Sequence, residues 1–306
     1  MYIRLLGTAA GGAFPQWNCN CSGCRTAREQ PSKDISRSQA QAVVSSDGIH
    51  WFLLNASPDI RQQIASYAAL QPPAHLRRGT PIEGVLLTGA DLDQVLGLFL
   101  LREEPDLHLH CTSPVEKALR ESLRLEDVLS SYGGVKWHEV PSALDPLLIR
   151  NGAKSGLLYE PILLPGKPPK YREGIAGAEI GDTIGYRIID EKTGGRLLFL
   201  PTLSRINDAL QEAMNECDLL ILDGTFWEEN EMNSHGVGTI SASRMGHLPV
   251  GGEFGSLRHL QTVSKPRKIY FHINNTNPML LENSPETLEV VNSGCEIAFD
   301  GMEIVL

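Results

Sequence analysis

Three apolar stretches that turn back on themselves limit this chain to folds rich in both strands and helices. "AQAVVSS", the turn Asp47–Gly48 and "IHWFLLNAS" form the strongest short-range hairpin signal. "GYRII", "KTGG" and "RLLFL" repeat the pattern, and "CEIAF", Asp300–Gly301 and "MEIV" close the chain with a third. Strand–helix units run between them. "YIRLLG" (2–7) reads as a first strand, and Pro58 and Asp59 open a helix. A strand at 84–87 leads to a helix at 93–103, and a strand at 107–111 to a helix at 113–123. A helix near 205–214, strands at 218–223 and 268–273, and a helix at 285–293 follow. Segment 140–180, rich in Pro and Gly, reads as an extended loop. Hairpins alternating with strand–helix units in both halves predict an α+β fold. Two mixed β-sheets flanked by helices would form an αββα sandwich, one domain over 1–306, with its sites on loops at one edge.

The net charge of −10 argues against a nucleic-acid or anionic-membrane binder, which needs a basic surface. No apolar run approaches the ~18 residues that span a bilayer, and "MYIRLLGTAAGG" reads as a strand entering a Gly turn. A cytoplasmic location is the expectation. Three of the six cysteines lie within six residues, unlike the even spread of a disulfide framework. Cys217 and Cys295 sit beside apolar runs and read as buried thiols.

"WNCNCSGC" spaces Cys19, Cys21 and Cys24 as C-x-C-x2-C. Three thiolates this close can share one tetrahedral zinc, with a fourth donor from elsewhere; His272, near a strand end in "YFHINNTNP", is the candidate. Four protein ligands make such a zinc structural. Phe14 and Trp17 flank the loop and are expected to pack under it.

"TGADLDQVLG" (88–97) follows the apolar "GVLL" and precedes an apolar run. Asp91 and Asp93 are either metal ligands or helix-capping acids, and one residue can do both. Asp223, after "LLIL", either orients a ligand or forms a turn in "DGT". His235 reads as a loop residue, and Arg102–Glu103 as a local ion pair. His108 and His110 alternate along a strand and so share a face, with no third donor nearby in the sequence. The amides of "NNTNP" (274–278) either pin loop backbone or bind a carboxylated substrate.

The strand, "LLT", the ligand-bearing loop and the helix start together resemble the first metal motif of the metallo-β-lactamase superfamily, T-H-x-H-x-D-H. Thr88 matches and Asp93 keeps the Asp; Gly89, Asp91 and Gln94 stand at the three His places. "LLNASPDIR" resembles the early strand and turn, with Asn55 where Asp is usual, and "MGHL" resembles a later ligand-bearing strand end, giving His247. "GTAAGGAFPQWNCNC", "ILDGTFWEENEM", "GVGT", "HINNTNP" and "ENSPE" carry the resemblance along the whole chain to the pyrroloquinoline quinone (PQQ) biosynthesis protein B family.

A paired-ion centre needs more imidazoles than this motif retains. The resemblance therefore implies one ion at a second site formed by Asp91, Asp93 and His247 with help from Gln94, Fe(II) or another divalent metal. Gln94 departs from the His often found there in that family. The implied chemistry is iron- and O2-dependent hydroxylation of the tyrosine ring of a Glu–Tyr cross-linked PQQ precursor, with Asp223 handling protons. The alternative is a carrier moving PQQ or its precursor toward the periplasm; a lactamase-like hydrolase fits the depleted motif least. Other PQQ biosynthesis proteins and a second copy of the chain, as a homodimer, are the further partners to expect.

Overall fold

The computed structural model describes residues 1–30, 35–103 and 106–306. Its strands are β1 (Tyr2–Gly7), β2 (Gln41–Ser45), β3 (Trp51–Leu54), β4 (Ile82–Leu86), β5 (Leu107–Cys111), β6 (Val135–Glu139), β7 (Asp145–Leu148), β8 (Lys154–Leu163), β9 (Ile184–Asp190), β10 (Arg196–Leu200), β11 (Leu219–Asp223), β12 (Arg267–Phe271), β13 (Glu296–Ile297) and β14 (Glu303–Val305). They form two seven-stranded mixed sheets. The chain divides into two compact units: Met1–Leu6, Gln41–Gly195 and Gly301–Leu306 in the first, Gly7–Ala40 and Arg196–Asp300 in the second.

The first unit holds the sheet ordered β14-β1-β2-β3-β4-β5-β6. The Asp47–Gly48 hairpin forms as expected: β2 and β3 are antiparallel, with Val43 opposite Leu53. Asp47 Oδ1 accepts from the N–H groups of Ile49 and His50, and Gly48 takes φ 75°, which few side chains tolerate. From β3 onward the strands pair in parallel, through the β3–β4, β4–β5 and β5–β6 ladders. Their alternation sorts the faces. Leu107, Leu109 and Cys111 of β5 join Val85, Leu87, Val95, Leu98, Val115 and Leu119 in one core. Each fully buried aliphatic there contributes about 1.5–3 kcal/mol.

The expected helix at 93–103 is a short α-helix, Leu92–Val95, running into a 3-10 turn, Leu96–Leu101. Gly97 presses this segment against the chain after β3. Its N–H donates to Ala56 O at 2.9 Å, and a Cβ there would stand 2.3 Å from Ser57 O.

Segment 140–180 is not wholly a loop. It contains β7 and the ten-residue β8, which is antiparallel to β9 from Leu157–Asp190 to Leu163–Ile184. Proline obscured both strands. Pro146 lies on β7, an edge strand, and Pro161 lies past the reach of β7, where β8 has a neighbour on one side only.

The second unit holds β10–β13, all in parallel ladders. "LLILD" of β11 is entirely buried, as parallel strands covered on both faces are. The closing hairpin does not form. β13 pairs with β12, whereas β14 pairs with β1. Asp300 anchors the chain between them, accepting from Ser38 N–H at 2.6 Å and from the hydroxyls of Ser38 and Thr8 at 2.7 Å each. Three donors from the distant Thr8 and Ser38 hold the turn, so Asp300–Gly301 redirects the chain instead of folding it back.

Glu231 opens a one-turn helix and is buried. It accepts from Trp227 N–H at 2.5 Å and from the Thr276 hydroxyl. Burial pushes its carboxyl up to about 7 against these bonds.

Two outcomes follow for stability. A methyl at Gly97→Ala meets backbone rather than a movable side chain, so the variant should lose about 2–3 kcal/mol in urea unfolding; a loss under ~0.5 kcal/mol would show that the segment yields. Between its ordinary value of 4.5 and about 7, Glu231 holds more proton in the folded than in the unfolded state. Stability therefore falls as pH rises through that window, by about 3 kcal/mol from this group. Glu231→Gln should flatten the fall in melting temperature between pH 5 and 8; parallel curves for both proteins would contradict the assignment.

Candidate metal centres

Among the described residues, two clusters bring three metal-donor side chains within 4.8 Å of one another: Cys19, Cys21 and Cys24, and Asp223, His247 and His272. Both lie in the second unit.

The thiols sit on the turn into the helix Ser22–Glu29, where Cys21 is the N-cap and its sulfur accepts from Cys24 N–H at 3.5 Å. Arg28 on that helix reaches back to Cys19 O at 2.7 Å and Gln16 O at 2.5 Å, bracing the loop. All three thiols are buried. Burial pushes Cys24 up to about 12; at Cys19 hydrogen bonds from Cys21, Cys24 and Asn275 outweigh burial and lower it.

His272 does not join them. The amide head of Asn275 stands over the thiols, its Nδ2 at 3.1 Å from Cys19 Sγ, 3.4 Å from Cys24 Sγ and 3.7 Å from Cys21 Sγ. These separations bracket the ~3.5 Å edge of a tetrahedron built on metal–sulfur and metal–oxygen distances of about 2.3 and 2.1 Å. Gly23 makes the approach possible, since a Cβ there would lie 3.3 Å from Asn275 O. Phe14 packs against Gly23 as expected, but Trp17 is 85% exposed and does not underlie the loop.

His272 turns away because it follows β12 in a left-handed conformation, φ 58°. Its Nδ1 lies 2.8 Å from Thr225 Oγ1. Asp223 ends β11 fully buried. Its Oδ1 accepts from Thr225 N–H at 2.9 Å and Oγ1–H at 2.6 Å; its Oδ2 accepts from Leu203 N–H at 2.8 Å and lies 2.6 Å from His247 Nδ1. All four acceptor positions of the carboxylate are thus taken. Burial opposes its ionisation, but its interactions with His247 and His272 and the bond from Thr225 prevail and hold it below the usual range.

This wiring sets the proton positions. With the Thr225 hydroxyl proton on Asp223, Nδ1–H of His272 donates to Oγ1, and Nδ1–H of His247 donates to Asp223. In the neutral form of each ring this arrangement puts the lone pair on Nε2, the form in which imidazole binds a metal. The two rings stack at 5.6 Å and 21°, and Phe226 packs edge-on against His247. A cavity of about 610 Å³ opens beside His247, which lines it with Trp227, Leu248, Glu228, Glu229 and Phe254. Bonds from the Ser243 and Ser241 side chains and from Ser243 N–H overcome burial and hold Glu229 below its ordinary value, hence ionised.

Of the expected quartet, Asp91, Asp93 and Gln94 belong to the first unit and His247 to the second. Asp91 is the N-cap of Leu92–Val95 and forms a capping box with Gln94, whose amide oxygen accepts from Asp91 N–H at 3.3 Å. Gln94 is buried in that role. A Cβ at Gly89 would lie 2.5 Å from its Oε1, so the small residue and the amide occupy one space. Asn55, at φ 67°, holds the loop's start, its Oδ1 accepting from Thr88 N–H at 2.8 Å.

The remaining candidates fall as read. His235 is exposed, Arg102 Nε lies 3.5 Å from Glu103, and Cys217 and Cys295 are buried thiols outside any disulfide. Of the amides of 274–277, Asn277 pins backbone, donating to Gly224 O at 2.9 Å, whereas Asn274 donates to the Thr276 hydroxyl at 2.6 Å and Asn275 stands over the thiols. His108 and His110 share a sheet face and are joined there by His138, which sequence spacing did not reveal. Thr225 and Asn275 were also missed as site residues, although "DGT" and "NNTNP" both stood out.

Comparison with known proteins places this geometry in a family. The Beta-lactamase superfamily domain model matches residues 50–273. Coenzyme PQQ synthesis protein B of Pseudomonas putida KT2440 is 41% identical over 307 residues, covering the whole of both chains. The protein of that name from Pseudomonas syringae pv. syringae B728a is 40% identical, again over the whole of both. Zn(2+)-bound PqqB from Methylobacterium extorquens matches with a TM-score of 0.90 at 38% identity, covering 100% of each chain. A diphosphatase of the PhnP family, at TM-score 0.68 and 18% identity over 100% of this chain and 97% of its own, shares the fold. The chain belongs to the coenzyme PQQ synthesis protein B family, built on the metallo-β-lactamase fold.

Proposed function

We propose that this protein acts in PQQ synthesis as a metal-dependent enzyme, with one ion held by His247 and His272 and a structural zinc held apart from it by the thiols. The observation that carries the reading is the buried Asp223 network, which holds Nδ1 of His247 directly and Nδ1 of His272 through Thr225. A buried carboxylate with four acceptor bonds is costly unless it positions something, and here it fixes one imidazole directly and the other through Thr225. Nitrogen donors beside a carboxylate suit iron or zinc.

The reaction we assign is hydroxylation of the tyrosine-derived ring of the Glu–Tyr cross-linked precursor, with O2 as co-substrate. A bound ferrous ion would supply activation of dioxygen; one oxygen atom would enter the ring and the other would leave as water, with two protons and with two electrons from an external one- or two-electron reductant. The chain's own residues bind and orient. The cavity beside His247 is of a size that takes small-molecule substrates. Trp227 and Phe254 offer it an aromatic wall, while Glu228 and Glu229 suit the substrate's ammonium groups. The contact of Asp223 Oδ2 with Nδ1 of His247 holds the ring in one orientation.

At the second centre, Cys19, Cys21 and Cys24 supply three thiolates and Asn275 the fourth vertex; half a turn of its amide head presents Oδ1 there. The relative from Methylobacterium extorquens, named as Zn(2+)-bound, supports zinc as the metal.

Metal analysis before and after chelation should find one zinc that resists removal and one labile ion. Cys19→Ser should lose the first. His247→Ala and His272→Ala should lose the second, together with hydroxylated product when substrate and ferrous ion are mixed anaerobically and then given oxygen. Asp223→Asn should weaken the labile ion about 10–100-fold. Substrate bound but returned unchanged by the wild type would make the protein a carrier, and zinc-dependent cleavage of a phosphodiester would make it a hydrolase. Either result overturns the reading.

A further inference from the structure

Three imidazoles lie together on one face of the first unit's sheet, and neither the PQQ reading nor the two centres above uses them. β5 and β6 run parallel, with His110 opposite His138 and His108 opposite Lys136. His138 Nε2 lies 3.1 Å from His108 Nδ1. The rings of His110 and His138 stack at 4.6 Å and 15°, and those of His108 and His138 at 5.0 Å and 29°. His110 is buried, and its Nδ1 is 3.1 Å from the Tyr159 hydroxyl. His108 and His138 are half-buried, so solvent reaches the pair.

Three positive rings cannot stack this closely, and burial with the neighbouring Lys136 and Arg150 keeps them neutral. His110 is pushed down to about 3, chiefly by burial. At neutral pH, His108 Nδ1 and His138 Nε2 therefore have one proton between them, one ring donating and the other accepting. Two nitrogens that share a proton can share a cation instead. Imidazole nitrogens about 2.0–2.1 Å from one four-coordinate ion stand roughly 2.9–3.4 Å apart for angles between square-planar and tetrahedral. The observed 3.1 Å lies inside that span.

We propose that His108 and His138 form a two-imidazole site for a first-row divalent transition metal of the copper or zinc type. His110 is the positioning residue: stacked on His138 and tied to Tyr159, it fixes the plane of the second ligand. Loading the site needs no net proton release. The donating ring moves its proton from the shared nitrogen to its other ring nitrogen as the ion takes the lone pair. Waters complete the coordination from the exposed side.

The test uses the full chain, stripped of labile metal by chelation and titrated with Cu(II) at neutral pH. Wild type should bind one equivalent more than His108→Gln or His138→Gln, and the electron paramagnetic resonance signal of that equivalent should carry nitrogen coupling from two imidazoles. His247→Ala should keep this equivalent, which separates the site from the centre beside Asp223. In the unsubstituted protein, addition of Zn(II) should switch the tautomer of one ring of the pair in 15N-resolved spectra, a readout that no variant's folding can obscure. Equal copper stoichiometry in wild type and both glutamine variants, or unchanged tautomers on Zn(II) addition, would reduce the pair to a hydrogen bond and overturn the site.

Discussion

One buried carboxylate organises the second unit. Asp223 ends a strand with no exposed residue, and its charge is held there by two backbone N–H groups, a hydroxyl and an imidazole. Removing any one partner would leave a buried acceptor unsatisfied, at a cost of about 1–3 kcal/mol or more for a charged group. The network is therefore stiff, and its stiffness extends to the groups bonded to it. His247 comes from a loop 24 residues later, yet its ring has one orientation because Asp223 Oδ2 allows one. Thr225 passes the same constraint to His272.

Much of this frame was legible in the sequence, for physical reasons that vary by element. The Asp47–Gly48 hairpin was readable because Asp side-chain acceptance and Gly at positive φ are local properties. β5 was readable because its period of two sorts leucines from histidines. The thiol cluster was readable because three donors within six residues need no tertiary information to meet. β7 and β8 were hidden by Pro146 and Pro161, whose harmlessness depends on which neighbours a strand lacks. The closing hairpin was misread because a turn signal fixes a change of direction and not the partner of the strand that follows.

The misplacement of His272 has a more specific cause. A strand-end histidine and a cysteine cluster short of one ligand make a reasonable pair on chemistry alone. What separates them is a single backbone angle, φ 58° at His272, in a region where histidine is uncommon and nothing in the sequence announces it. That turn sends the imidazole toward Thr225 and brings the amide three residues later to the sulfurs. Asn275 was visible as one of several amides, but only geometry distinguishes an amide over thiols from one that pins backbone. The capping of Leu92–Val95 by Asp91 and Gln94 is the reverse case: the capping part of the local reading is seen in the capping box, and the space at Gly89 is filled by the Gln94 amide.

The same short stretch links the two donor clusters. His272 and Asn275 are separated by Ile273 and Asn274, and neither intervening residue is free to adjust. Ile273 N–H donates to Thr8 O and Ile273 O accepts from Ala10 N–H, both at 2.9 Å, which fastens the stretch to the segment leading into the cysteine loop. Asn274 N–H donates to Thr225 O at 3.0 Å, and Asn277 Nδ2 to Gly224 O, fastening it to the turn after Asp223. A displacement of Asn275 must then pass through clamped backbone to His272, because no flexible residue lies between them to absorb it. Drawing the three thiols and the amide onto one ion would therefore steady the imidazole as well as the cysteine loop. A cysteine cluster that held an ion would then set the precision with which His272 meets Thr225.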